Sequence, residues 1–209
     1  YEISLGLVGS EMCIRDSDNT DACERVFMQW GIGHLFPAIT MAAHVTASPN
    51  HQTKRVTPLK FRFDVAMSGR LGFELQPCDM TKEEVEFSKR ALAEYKRIRP
   101  VVQFGDLYRL SSPYESRVAS LMYVHEKRAV VFAWLMDKWL ADSPPPLRLK
   151  GLNPAARYLV REINLDENGP LANVHERVLG GDFLMDFGIR INWKNAFQSV
   201  CMEVTETGS

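Results

Sequence analysis

The chain has 209 residues, of which 45% are hydrophobic and 24% charged, enough apolar material for one domain or two small ones and no bias toward disorder. Its formal net charge is −1, and setting aside the first 17 residues, which hold Arg15 against Glu2, Glu11 and Asp16, leaves a remainder that is nearly neutral. That balance gives no footprint for nucleic acid or an anionic membrane surface, and no apolar run is long enough to span a bilayer as a helix.

The N-terminal stretch SLGLVGSEMCIRDS does not read as structure. Gly6 and Gly9 interrupt Leu5, Leu7 and Val8, so neither a strand nor a helix period is sustained. A basic start, an apolar core and a small-residue cleavage site are all missing, which excludes a signal peptide. Leu7 to Asp16 can be encoded as CTC GTG GGC TCG GAG ATG TGT ATA AGA GAC, followed by AG opening the codon of Ser17. That string resembles the adapter of transposase-based sequencing libraries. Residues 1–16 are read as translated adapter, and 1–17 as lying outside the fold.

From Asp18 onward helices and strands alternate. Asp18-Asn-Thr-Asp21 is a cluster of capping residues before an amphipathic run, Ala22 to Trp30, which Gly31 and Gly33 should end. Leu35 to Ala43 reads as a buried strand, and His44 to Thr57 as a long polar loop of the kind that often carries function. Pro58 suits a first helical turn, so Leu59 to Ser68 is expected to be helical, with Gly69 to Gln76 a short strand. Thr81 and Glu84 form a capping box, and Val85, Ser88, Leu92, Tyr95 and Ile98 follow at helical spacing. Pro100 should close that helix. This order is the grammar of an α/β fold.

After Gly105 the grammar changes. Ser120–His125 and Ala129–Met136 alternate around Glu126-Lys127 and predict a hairpin. Ser143-Pro-Pro-Pro146 is a rigid break. Leu147–Lys150, Tyr158–Ile163, Ile189–Trp193 and Phe197–Val204 are further short strand candidates, an antiparallel sandwich pattern. The expected division is 18–105 for the α/β part and 106–207 for the sandwich.

Asp18, Asp21, Asp64 and Glu115 are the carboxylates in loop or helix-start positions. From the residues alone Asp18 reads first as a helix cap, and a capping aspartate has a lowered pKa that suits it poorly to donate a proton. His44 and His51 would share a helical face, but Pro49 argues against a helix there and no third metal ligand is evident. Neither a glycine-rich phosphate loop nor a nucleophile elbow is present. Cys23 reads as a packed small hydrophobe, and Trp134 and Trp139 as core or domain-interface packing rather than a sugar platform. Cys23, Cys78 and Cys201 form no disulfide or zinc pattern, which fits a reducing, cytoplasmic compartment.

Three runs carry a resemblance: SDNTDACERVFMQWG, FPAITMAAHVTASPNHQTKRVTPLKFRFDVAMSGRLGFEL and EYKRIRPVVQFGDLYRLSSP. Together they resemble the C-terminal part of glycoside hydrolase family 36, the bacterial-type α-galactosidases. The likeness is strong from Ser17 to about Pro113 and continues more loosely through LRLKGLNP, GGDFLMDFG and FQSV. S-D-x-T-D and H-V-x-x-x-P-N-H-Q are specific only in combination. The resemblance implies the last strands and helices of a (β/α)8 TIM barrel followed by a C-terminal antiparallel β-sandwich, with Asp18 at the end of the sixth barrel strand, on the face where barrel active sites sit.

It further implies that Asp18 is the general acid/base of a retaining hydrolysis of terminal α-galactosides of the melibiose or raffinose type, contacting the substrate directly. The same family holds α-N-acetylgalactosaminidases and galactosyltransferases, and a non-catalytic β-sandwich module is the alternative from another class. The family's nucleophile lies in a Lys-x-Asp-x-Asn stretch. No Lys-x-Asp occurs in this chain, so the chain alone is expected to be inert. No metal or other cofactor is implied, and the parent is expected to form homo-oligomers. Phe63 and Ser116 stand where the family usually has glycine; bulk at Phe63 is expected to alter a barrel turn.

Overall fold

The computed structural model describes residues 19–139 and 143–208. The adapter reading and Asp18 lie outside the described residues.

Helix α1 covers Ala22–Ile32 and is capped by Asp21, whose side chain accepts from the amides of Cys23 and Glu24. The strand expected over Leu35–Ala43 sits further along. Leu35 and Phe36 are exposed, Pro37 precedes a 3-10 turn over Ala38–Thr40, and β1 covers Ala42–Thr46. The register explains the shift: Ala42 to Thr46 are the residues that find partners, pairing in parallel with Arg70 to Glu74 of β2. Apolar character alone cannot place a strand where no ladder is on offer. Helix α2, Leu59–Met67, is the crossover between them, with Pro58 just outside it at the N-cap.

The third helix, α3, keeps its capping box but runs Lys82–Phe104, through Pro100 rather than stopping at it. Pro100 removes the amide that would meet the Lys96 carbonyl; both residues are exposed, so the missing bond falls on the solvent side of the helix. Gly105 caps the end, and β3 starts at Asp106. Phe63 lies mid-helix in α2 rather than at a turn. It is fully buried, with Phe73 and Phe87 packed edge-on at 5.5 and 5.6 Å. A phenyl ring there fills the space between α2, β2 and α3.

The second half is one antiparallel sheet: β3 (Asp106–Ser111), β4 (Val118–His125), β5 (Arg128–Leu135), β6 (Arg157–Ile163), β7 (Arg177–Gly180) and β8 (Gln198–Thr207), in spatial order β3-β4-β5-β8-β6-β7. The hairpin, β6 and β8 fall where the sequence placed them, whereas β3 and β7 carry too weak an alternation to be seen. Leu147 and Ile189 form only an isolated bridge, as do Ala172 and Ile191, so among the described residues the layer opposite this sheet is irregular chain plus the short helix α4 (Gly181–Asp186).

Side-chain alternation divides the sheet into two faces. Leu121, Tyr123, Val130, Phe132, Trp134 and Cys201 join the core shared with α1, α2 and α3. Met122, Val131, Ala133, Val160, Val200 and Met202 join the second core, against Leu149, Leu184 and Ile189. Trp134 is buried and stacked on Phe132, but Trp139 is 61% exposed, which corrects the core reading for that ring. It lies past the end of β5, where its indole donates to Asp137 at 2.8 Å and carries the Arg117 guanidinium at 3.9 Å.

The helix-facing side of β8 also holds polar clasps. Ser199 donates to Asp64 of α2 at 2.7 Å, and Glu203 accepts from Arg97 of α3, from Arg128 at 2.6 Å and from Arg161 at 3.2 Å. Burial opposes ionisation of Glu203, but Arg97 and Arg128 outweigh it and hold its pKa below the usual glutamate range. A depressed folded-state pKa gives stability that is present above the unfolded value, about 4.3, and fades as pH falls through the lower folded value. Glu203→Gln is therefore expected to lower the urea midpoint at neutral pH and to shrink the loss seen on acidification. An unchanged acid loss in the variant would place that sensitivity elsewhere.

Candidate active site

The parallel pair has two faces. Ala43 and Val45 point into the helical core, fully buried. Ala42, His44 and Thr46 share the opposite face with Arg70, Gly72 and Glu74, their partners in register. A Cβ at Gly72 would lie 2.5 Å from Cδ2 of His44, so glycine is what leaves room for the imidazole. Asn19, Thr20, Arg25, Ala42, His44, Thr46 and Glu74 line a small cavity of about 10 Å³ on this face, room for a single water. His44 to Thr46 thus belong to β1, and the loop expected from His44 begins at Ala47.

The end of β1 and that loop grip the residues that follow Asp18. Thr46 donates to the Thr20 carbonyl at 2.8 Å, the Thr20 amide donates to Gln52 Oε1 at 2.9 Å, and Asn50 Nδ2 donates to Thr20 Oγ1 at 2.9 Å. His51 Nδ1 stands 3.4 Å from the same hydroxyl. Asn19 Oδ1 accepts from the Asp21 amide at 2.9 Å, and Asn19 Nδ2 donates to Glu24 at 2.6 Å. The loop contacts span some 30 residues of chain, so no local pattern announces them; the only sequence signal is the polar run Pro49-Asn-His-Gln52 itself.

Asp21 is 1% exposed, accepts from Thr53 and pairs with Arg55. Burial alone would raise its pKa. The Thr53 hydroxyl, the Glu24 amide and the Arg55 guanidinium outweigh that and hold it below the usual aspartate range. An aspartate held as an anion cannot deliver a proton near neutral pH, and of the Asp18-to-Asp21 capping cluster it is Asp21, not Asp18, that caps α1.

The other candidates fall elsewhere. Asp64 is fully buried in α2, paired with Lys60 at 2.6 Å and bonded by Asn164 at 2.6 Å, a clasp to the sheet. Glu115 lines an open pocket of about 460 Å³ with Tyr114 and Arg117, away from the small cavity under His44. Cys23 packs against the helical core, and burial pushes its thiol up to about 11. Among the described residues no group of three or more His, Cys, Asp or Glu is arranged to hold a metal ion. The described geometry thus offers a small polar recess at the C-terminal end of β1, with a braced segment leading back to Asp18.

Against known proteins the chain matches the melibiase family model over residues 3–105 and the model of the glycosyl hydrolase family 36 C-terminal domain over residues 118–204. The first match extends into the stretch read as adapter. The chain belongs to glycoside hydrolase family 36. Its curated relatives include α-galactosidase AgaA of Geobacillus stearothermophilus, 38% identical over 183 residues, and α-galactosidase Mel36A of Lactobacillus acidophilus, 38% identical over 175. These alignments take in 86% and 82% of this chain but only 23% and 22% of the relatives, so it spans about a quarter of their length. The crystal structure of AgaB from G. stearothermophilus superposes with a TM-score of 0.80 at 37% identity, over 92% of this chain and 25% of that one. An AgaA variant crystallised with raffinose superposes with a TM-score of 0.80 at 36% identity, over 91% of this chain and 25% of its own.

Proposed function

We propose that this chain is the part of a retaining α-galactosidase that supplies its general acid/base, Asp18, at the end of the sixth strand of a (β/α)8 barrel. On this reading 18–105 is barrel and 106–207 a C-terminal domain built on the antiparallel sheet, with β1 and β2 as the seventh and eighth strands. The observation that carries the reading is Asp18 itself: it is the first aspartate of the motif S-D-x-T-D, directly before a segment braced against the C-terminal end of β1, in a chain of this family. Relatives of the same fold have been crystallised with raffinose and stachyose, which supports a terminal α-galactoside as the substrate.

The chemistry needs two carboxyl groups roughly 5–5.5 Å apart. A nucleophilic carboxylate, supplied from outside these 209 residues, attacks the anomeric carbon while Asp18 protonates the departing glycosidic oxygen. The C–O bond to the leaving sugar breaks, and an ester bond to the nucleophile forms. Asp18, now a carboxylate, takes a proton from water, whose oxygen attacks the anomeric carbon and releases the nucleophile. This cycle calls for an acid whose pKa lies near the working pH, and Asp21, held ionised by Arg55 and Thr53, is no candidate for it. Without the nucleophile the chain alone is inert. Proton NMR of the full-length parent acting on raffinose tests the reading: α-galactose appears first if configuration is retained, whereas β-galactose first, or no release of galactose, would refute it.

A further inference from the structure

Thr20 lies two residues beyond Asp18 and is held at its amide, its carbonyl and its hydroxyl, all by residues of β1 and the 47–57 loop. Asn50 is the centre of that loop. Its amide donates to the Arg55 carbonyl at 2.9 Å, its carbonyl accepts from the Lys54 amide at 2.9 Å, and its Oδ1 accepts from the amides of Gln52 and Thr53 at 2.9 and 3.0 Å. Its remaining polar atom, Nδ2, donates to Thr20 Oγ1. Asn50 is 4% exposed, so each of these bonds is shielded from competing water. The residues it orders are the ones that hold the start of α1: Gln52 on Thr20, and Thr53 with Arg55 on Asp21. Asparagine suits the post because it both accepts from the turn amides and donates to Thr20; aspartate would keep the turn but could meet Thr20 only by accepting from its hydroxyl.

We propose that Asn50 is a positioning residue for the acid/base step: it fixes the loop that clamps Thr20 and thereby sets where Asp18 presents its proton. This rests on the reading of Asp18 as the general acid and adds a residue that acts through it without touching substrate. A misplacement of about 1 Å can cost about 10²-fold in rate, so the loss of this bond is read in kinetics.

The discriminating probe is the leaving group. A dinitrophenoxide departs without a proton, whereas the sugar leaving raffinose needs one. In the full-length parent, Asn50→Ala is expected to lower kcat/KM on raffinose by about 10²-fold and on dinitrophenyl α-galactoside by less than about tenfold, with the acidic partner's limb of the pH profile displaced. Thr20→Val, which removes the acceptor at the other end of the bond and keeps the side-chain shape, is expected to give the same selectivity and serves if Asn50→Ala fails to fold. Equal losses on both substrates, or no loss in either variant, would overturn the positioning role. Asp18→Asn in the same assay separates the two ideas: selective loss there but not at Asn50 leaves the acid assignment standing and removes only the positioning role. No selective loss at Asp18 removes the acid assignment itself.

Discussion

Asparagine in place of Asp18 in the full-length parent is expected to cut kcat/KM on raffinose by about 10²- to 10⁴-fold, the usual worth of a positioned acid. The amide keeps the size and hydrogen-bonding reach of the carboxyl group but carries no transferable proton. The C–O bond to the leaving sugar must then break with charge building on an unprotonated oxygen. Thermal stability serves as the control. Thr20 and Asp21 keep their ties to Thr46, Asn50, Gln52, Thr53 and Arg55, so the melting temperature should stay within about 2 °C of the wild type. A variant that loses activity and melts much earlier would indicate a structural role, and one that keeps its activity would remove Asp18 from the chemistry.

The second large effect concerns stability. Lys60 and Asp64 are both buried in α2, 2.6 Å apart, with Asn164 and Ser199 from the sheet half completing the aspartate's contacts. Burial works against the Lys60 ammonium, but the Asp64 carboxylate outweighs it and keeps the pKa of the lysine above its ordinary value. Asp64→Ala would strand that ammonium without its partner and leave the Asn164 and Ser199 donors facing a void. The expected cost is about 3–5 kcal/mol. At about 2–4 °C per kcal/mol for a chain of this size, the thermal midpoint should fall by roughly 6–20 °C. Pairing Asp64→Leu with Lys60→Met removes both charges and should recover much of the loss, because a buried ion pair is costly to break but often neutral to replace. A loss below about 1 kcal/mol in Asp64→Ala, an ordinary surface value, would mean that water reaches the site and the clasp is not buried in solution.

The same clasp depends on contacts that no local pattern encodes. Asp64 was visible as a carboxylate, but its partners Asn164 and Ser199 are 100 and 135 residues away. Local grammar served well where the determinant is local: the Thr81/Glu84 capping box and the β4–β5 hairpin stand as expected, and a capping cluster does open α1, with Asp21 rather than Asp18 as the cap. It failed where an apolar or breaking residue meets a context that overrides it. Leu35 and Phe36 are apolar without a ladder to join, and Pro100 sits on the wet side of a helix held by Tyr95, Ile98, Val101 and Val102. Trp139 is large and apolar yet anchored at the surface by polar contacts.

The candidate site divides along the same line. The S-D-x-T-D string and the polar loop were both legible as pieces. That the loop closes on Thr20 and Asp21 was not, because those bonds are set by the pairing of β1 with β2 and by the crossover through α2. Gly72 is similar: an unremarkable strand glycine in sequence, and in space the room for the His44 ring.

The most direct test of the account is azide rescue of Asp18→Ala in the full-length parent. With the acid/base gone, an activated aryl galactoside still forms the galactosyl ester, but water is no longer activated to cleave it. Azide needs no such help and attacks the anomeric carbon, breaking the ester bond and forming a C–N bond. Azide is expected to restore turnover, and the product to be α-galactosyl azide. Turnover that ignores azide, or a β-configured azide, would contradict the acid/base role of Asp18.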